Sequence, residues 1–435
     1  MMDPSHLKTC VLVVLDGMAD LEIPAMDGKT PVEAARTPIL DLFAKEGKVG
    51  YMHSIGYWKV GGSDTSHMAL LGYDPWSIYT GRGPIEVAGT GVNLQEGDVS
   101  IRCNYCTVGD GMHILDRTAG YVRDGIEELA NAINDGVHLS DPSVKAEFRN
   151  SQDYRCVVYF RGPGISASIS DMDPSYDIII DAPMERDKVK ENPRIIDCKP
   201  RDNSKEAIHM AELLNEWVEK SHDILKKHPV NKRREEQGKP PANCIMPRGA
   251  GETPMYEPFH EKWHLKGACV AGTGLIKGLG NLMGMRTPDV PGATGYVDSD
   301  LLSKARVTVE LLEEGMEFIL VHVESIDEVS HDGNVKLKIE MLEKGDEMLE
   351  YIAEHVPDNT IICVLSDHTT SCEKGDHTAD PSPLVIWSKD SSIQGDGLQK
   401  FSEHHAYKGS LKHVEGKDLM PILLNFMNRH EQFGA

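Results

Sequence analysis

The chain has 435 residues, with 45 Lys and Arg against 69 Asp and Glu, so its formal charge is 45 − 69 = −24. That acidity argues against nucleic acid or an anionic membrane as a partner, because both are bound through cationic surfaces. With 40% apolar and 26% charged residues the chain is a folded globular protein, not disordered, collagen-like or coiled-coil, and is long enough for two or three domains of about 150 residues each.

The stretch up to Thr9 lacks the shape of a signal peptide, because the first apolar run, Val11 to Leu15, is too short for one. No run approaches the roughly 18 apolar residues of a membrane span, which predicts a cytoplasmic protein. Cys10 to Leu15 reads as a buried strand ending at Asp16. Next comes Val60-Gly-Gly-Ser-Asp-Thr-Ser-His67, where two glycines let Ser63 project from a tight turn. Thr65 stands where a G-x-S-x-G elbow needs its last glycine, so this serine needs another activator, and a metal ion can serve. Cys103 and Cys106 have C-x-x-C spacing, but no second pair completes a zinc ribbon and no thioredoxin-like context surrounds them. The nine scattered cysteines therefore predict reduced thiols rather than a disulfide scaffold.

From about 92 to 280 the texture changes to shorter strands, such as Arg155–Phe160 and Asp177–Asp181, broken by Pro and Gly. A helix is predicted from about Ser204 to Lys226, and the charged stretch His228 to Gly238 reads as a surface loop. Gly272-Thr-Gly274 is followed by Gly278, a G-x-G-x-x-x-G spacing that does not match a dinucleotide loop. Farther on, Phe318–Val323 is a strand leading to Asp327, Leu337–His355 is helical, and Ile361–Leu365 is a strand ending at Asp367. Continuous apolar strands alternating with helices imply an α/β fold whose mostly parallel sheet is covered on both faces. Residues 1–91 and 281–435 read as one such domain, interrupted by a smaller inserted α/β domain at 92–280.

Open sheets of this kind put their chemistry at the carboxyl ends of the strands. There the chain offers Asp16, then Asp327 and His331 four apart on one helical face, then Asp367-His368 with His377 nine residues on. With Ser63, these three carboxylates, three imidazoles and one hydroxyl are enough for two divalent cations with positions left open for a phosphate. Mixed oxygen and imidazole donors suit manganese or zinc, with magnesium as an alternative. Three carboxylates beneath four positive charges make that spot net positive, so the overall acidity does not exclude an anionic substrate.

Taken together, Leu15-Asp-Gly-Met18, Gly28-Lys-Thr-Pro-Val-Glu-Ala-Ala35, Gly62-Ser-Asp-Thr-Ser-His67, Leu71-Gly-Tyr-Asp-Pro75 and Tyr79-Thr-Gly-Arg-Gly-Pro84 resemble the cofactor-independent phosphoglycerate mutases, in their archaeal-type branch within the alkaline phosphatase superfamily. His228-Pro-Val-Asn231, Arg248-Gly-Ala-Gly251, Val321-His-Val323 and Ser366-Asp-His-Thr369 continue the resemblance over almost the whole chain. It implies an alkaline-phosphatase-like fold with an inserted domain that closes over the substrate and excludes water. It also implies interconversion of 3-phosphoglycerate and 2-phosphoglycerate without 2,3-bisphosphoglycerate or a nucleotide, and leaves a homo-oligomer open by analogy. In that pattern Asp16, Ser63, Asp367 and His368 hold one metal, Asp327, His331 and His377 hold the other, and Ser63 is transiently phosphorylated. Manganese is the expected metal, with magnesium, zinc or cobalt as alternatives. Candidate substrate binders are Arg82, Arg102, Arg117, Arg161, Arg248 and Lys277, with Asp116, Asp171 or Asp173 as the acid–base group. A metal-dependent phosphatase or phosphotransferase acting on another small ester would use the same metal ligands. A non-catalytic relative is disfavoured because all seven metal and nucleophile positions are filled.

Overall fold

The structure is a computed structural model that describes residues 8–175 and 193–430, so the strand expected at Asp177–Asp181 lies outside the described residues. The chain forms two compact units, Met1–Tyr79 with Tyr256–Ala435, and Thr80–Met255. It first lays down β1 (Cys10–Leu15) and β2 (Lys48–His53). It then builds β3 (Val99–Val108), β4 (Ile114–Asp116), β5 (Lys145–Asn150), β6 (Arg155–Arg161) and β7 (Cys244–Glu252) in the second unit. It returns for β8 (Gly267–Val270), β9 (Phe318–Val323), β10 (Ile361–Leu365), β11 (Thr369–Ser371), β12 (Asp376–Thr378), β13 (Ser382–Ser388) and β14 (Lys412–Glu415).

The first unit is built on a sheet of order β14-β2-β13-β10-β1-β9-β8. Only β13 runs antiparallel to its neighbours; the other pairings are parallel. β1 lies between β9 and β10, with Cys10 beside Phe318 and Ile361. Every residue of these three strands is buried, which is why they read as apolar runs, broken only by His322 in β9. Helices Pro38–Glu46, Leu301–Glu313 and Val335–His355 pack together and supply Phe43, Leu311, Met341 and Met348 to a core shared with Val11, Val13, Val321 and Val364. Truncating one such side chain to alanine costs about 2–5 kcal/mol. Because β10, β1 and β9 are adjacent and parallel, the polar residues that follow them leave the sheet at one edge. No described helix is long and apolar enough to cross a membrane.

The second unit is antiparallel throughout: β3 pairs with β6 on one side and β7 on the other, β5 lies outside β6, and β4 pairs with the end of β3. Helix Arg82–Gly89 packs on β3, β6 and β7, so the unit begins at Thr80 rather than at 92. β8 pairs in parallel with β9, so the chain is back in the first unit by Tyr256 rather than 280. Helix Lys205–Leu225 forms where expected, with the Ser204 hydroxyl accepting from the Ala207 amide as its N-cap. Its Trp217 packs against Phe148 and Phe160 in the unit's core.

One expectation fails here. The charged stretch after His228 is helix Pro229–Glu236, not a loop. Pro229 occupies the first helical position, where its missing amide costs nothing, and the His228 side chain accepts from the Val230 amide. Asn231 is buried and donates to the carbonyls of Leu225 and Ala242, at 2.8 and 2.9 Å, tying the helix down. All nine cysteines are free thiols and buried, Cys103 and Cys106 among them.

Candidate active site

Most of the expected residues of the first unit lie just beyond a strand or near a helix start, with His331 at a helix end and His377 within a short strand. Asp16 follows β1 and is buried. Gly17 has φ +62°, and a Cβ there would lie 2.6 Å from Asp327 Oδ1 and 2.7 Å from Thr370 Oγ1, so only glycine lets the exit of β1 lie against Asp327. Ser63 opens helix Ser63–Leu70, whose N-cap Gly62 is extended with φ −92°. The glycines before Ser63 thus serve space rather than a left-handed turn: a Cβ on Gly61 would lie 2.3 Å from Ser66 Oγ. Asp327 and His331 share a face of helix Ser325–His331. Asp367 and His368 bridge β10 and β11, and His377 lies in β12, paired in register with Thr370.

These seven residues converge. His368 Nε2 is 3.3 Å from Asp16 Oδ1, 3.2 Å from Asp367 Oδ2 and 3.3 Å from Ser63 Oγ. His377 Nε2 is 3.6 Å from Asp327 Oδ1 and 3.1 Å from His331 Nε2, which is itself 3.3 Å from Asp327 Oδ2. The rings of His368 and His377 stack with centroids 3.7 Å apart. Two triads, Asp16/Asp367/His368 and Asp327/His368/His377, each bring three ligand atoms within 4.8 Å of one another. His368 belongs to both, and His331 adjoins the second.

The donor set fits divalent cations. His331 Nδ1 donates to the Gly375 carbonyl at 2.9 Å and His377 Nδ1 to the Gly61 carbonyl at 2.8 Å, which turns both Nε2 atoms toward the carboxylates. Asp16 Oδ1 and Asp367 Oδ2 are buried without a hydrogen-bond partner among the described residues. Burial and the facing carboxylates of Asp367 and Asp327 push Asp16 well above the usual carboxylate range. Burial would raise Asp327 too, but hydrogen bonds from His331 and His377 outweigh it and hold its carboxyl well below that range. Asp327 in turn lifts His331 to about 9. The centre therefore attracts positive charge strongly.

Two further histidines escaped the sequence reading. His322, in β9, lies with Nε2 2.8 Å from Asp16 Oδ2, and burial pushes it well below the ordinary imidazole range. His67 donates from Nδ1 to the Ser63 carbonyl at 2.7 Å, and the same nitrogen lies 3.5 Å from Asp367 Oδ2. A polar residue interrupting a buried apolar strand, and a histidine one helical turn after Ser63, were the available signals.

In the second unit, Arg82 and Arg102 share one acid, and Arg248 lies beside Arg102 in the sheet. Arg82 Nε donates to Glu86 Oε1 at 2.8 Å, Arg102 Nε is 3.4 Å from the same oxygen, and Arg102 faces Arg248 across β3 and β7. Burial would raise Glu86, but Arg102 and Arg82 outweigh it and bring it down to about 2. Burial, then Arg82, push Arg102 well below its ordinary value. Arg248 also reaches the buried Asp173 at 3.5 Å, Arg117 donates to the same carboxylate, and Asp171 accepts from the Gly249 amide at 2.6 Å. The remaining candidates stand elsewhere. Arg161 pairs with Asp98, and Asp116 accepts from the Thr118 and Gly120 amides of its own turn. Lys277 lies in the first unit, 3.2 Å from Asp289.

Comparison with known proteins adds a family context. A family model described as 2,3-bisphosphoglycerate-independent phosphoglycerate mutase matches residues 44–231. A curated protein of that name from Methanocaldococcus jannaschii is 43% identical over 428 residues, covering 98% of this chain and 99% of the relative. The one from Methanopyrus kandleri is 40% identical, covering 98% of each chain. Among solved structures, a protein from Pyrococcus horikoshii matches with TM-score 0.81 and 31% identity, over 99% of this chain and 100% of that one. A cofactor-independent phosphoglycerate mutase from Thermoplasma acidophilum matches with TM-score 0.65 and 32% identity, over 97% of this chain and 100% of that one.

Proposed function

The chain belongs to the 2,3-bisphosphoglycerate-independent phosphoglycerate mutase family, and we propose that it interconverts 3-phosphoglycerate and 2-phosphoglycerate through a phosphorylated Ser63 beside two divalent cations. The observation that carries this reading is the convergence of three carboxylates and three imidazoles, with Ser63 Oγ 3.3 Å from His368 Nε2. Asp16, Ser63, Asp367 and His368 would hold one cation, and Asp327, His331 and His377 the other. Manganese suits these mixed donors, with magnesium, zinc or cobalt as alternatives. When bound, the cations lower the pKa of the serine hydroxyl and neutralise phosphoryl charge.

The chain's own groups account for the rest. Ser63 loses its hydroxyl proton as its Oγ bonds to phosphorus, and the bond from phosphorus to the substrate's ester oxygen breaks, that oxygen taking up a proton. The other hydroxyl of the same glycerate then loses its proton and takes the phosphoryl group back, and Ser63 regains its hydroxyl. No water is consumed and no phosphate is released. Ser63 is the first residue of its helix, where the amide end of the helix favours an anion. In the second unit, the guanidiniums of Arg82, Arg102 and Arg248 suit a carboxylate or a phosphate, with Arg117 behind Asp173. Asp171 and Asp173 are the proposed carriers of the hydroxyl proton. A cytoplasmic location is part of this reading and is supported by the nine free thiols.

The deciding experiment supplies 3-phosphoglycerate and manganese, without bisphosphoglycerate, and measures 2-phosphoglycerate against free phosphate. The expected product is 2-phosphoglycerate. Mainly free phosphate would replace this reading with that of a phosphatase.

A further inference from the structure

The two ligand groups meet at a residue that neither the motif nor the metal chemistry singles out. Thr370 lies in β11, fully buried. Its Oγ1 is 2.6 Å from Asp327 Oδ1 and 3.1 Å from His368 Nδ1. A threonine hydroxyl has one hydrogen to give and lone pairs to accept with, whereas an ionised carboxylate can only accept. The hydrogen therefore goes to Asp327, and the oxygen must accept from His368 Nδ1–H. A neutral imidazole protonated at Nδ1 carries its lone pair at Nε2, the nitrogen that faces Asp16, Asp367 and Ser63.

The hydroxyl is held in place from several sides. The Thr370 amide donates to the Ala19 carbonyl at 3.1 Å, and the Thr370 carbonyl accepts from the buried Lys338 ammonium at 2.9 Å. Lys338 also pairs with Asp20 at 3.0 Å and donates to the Ala19 carbonyl at 3.2 Å, so one cation clamps the segment after β1 to β11. The corresponding nitrogens of His331 and His377 are held by backbone carbonyls, which orient one ring each and link it to no other ligand. Thr370 does more: its hydroxyl joins a carboxylate of one group to an imidazole of the other.

We propose that Thr370 is a positioning residue that sets the His368 tautomer and the Asp327 orientation together, so that the two cation sites form as a unit. This rests on the two-cation reading above. The test compares Thr370→Val, which keeps the shape and loses the hydroxyl, with Thr370→Ser, which keeps the hydroxyl. Imidazole ¹⁵N shifts of His368 in the metal-free protein should show the Nδ1–H form in the native protein and the serine variant, and loss of that preference in the valine variant. Manganese titration of the same proteins should show both binding steps weakened roughly 10–100-fold in the valine variant and restored by serine. Thr370→Ala replaces valine if the latter does not fold. A valine or alanine variant with native His368 shifts and native manganese affinity overturns the proposal. If the native protein binds no manganese the two-cation reading fails, and the ¹⁵N comparison still decides whether Thr370 sets the tautomer.

Discussion

Two buried acids in this protein are driven in opposite directions. Asp16 in the first unit is pushed upward by burial and by the carboxylates of Asp367 and Asp327, whereas Glu86 in the second is brought down to about 2 by Arg102 and Arg82 against its burial. The first centre is therefore short of positive charge and the second short of negative charge. An overall charge of −24 hides both facts, because each centre is set by a handful of side chains a few ångströms apart. The architecture differs likewise. The acidic centre is assembled at the edge of a parallel sheet from three adjacent strand ends, and the basic one from a helix and the strands of an antiparallel sheet.

The largest effect should come from Ser63→Ala, which removes the nucleophile and leaves both centres charged as before. Turnover should fall roughly 10⁴-fold or more with little change in melting temperature. A variant that still makes 2-phosphoglycerate at the native rate would remove Ser63 from the reaction. Stripping cations with a strong chelator should abolish activity, and manganese should restore it. Manganese should also raise the melting temperature by several degrees, because binding to the folded state alone stabilises by about 2.7 kcal/mol at a hundredfold excess over Kd. Full activity in the chelated protein would show that the acidic centre needs no cation.

Glu86→Gln tests the opposite centre. It leaves Arg82 and Arg102 without their shared carboxylate and should cost roughly 3–5 kcal/mol in urea unfolding. Millimolar phosphate should recover part of that loss by supplying an anion. A native unfolding midpoint would mean that the arginines are not held by Glu86. The pH dependence has a definite sign. Glu86 is depressed in the folded state, so its contribution is complete above about 4.5 and is lost as pH falls toward about 2. The glutamine variant should lack that acid-limb slope. The smallest effect belongs to Asp289→Ala, which removes the exposed partner of Lys277 and should change stability by less than about 1 kcal/mol. A large rise in KM from Lys277→Ala in the same assay would place that lysine on substrate.

Much of the acidic centre was legible in the sequence. Asp16 stands immediately past one buried apolar run and Asp367 two residues past another, and Asp327 and His331 are one helical turn apart. His67 and His322 were not, since a single histidine near a serine or inside a strand says nothing of its partner before the strands are placed. The helix at Pro229–Glu236 was obscured by its charge, although Pro229 marked its start.

By itself the sequence determined the parallel α/β core, the interruption by a second unit, and which acidic and histidine side chains stand at the strand ends, because local periodicity and strand-end polarity are properties of neighbouring residues. Only the tertiary structure decided that the interruption runs from Thr80 to Met255, that Arg82 and Arg102 share Glu86, and that Thr370 joins the two ligand groups. Those facts depend on which strands lie side by side and on distances of about 3 Å between residues far apart in the chain, which no local pattern encodes.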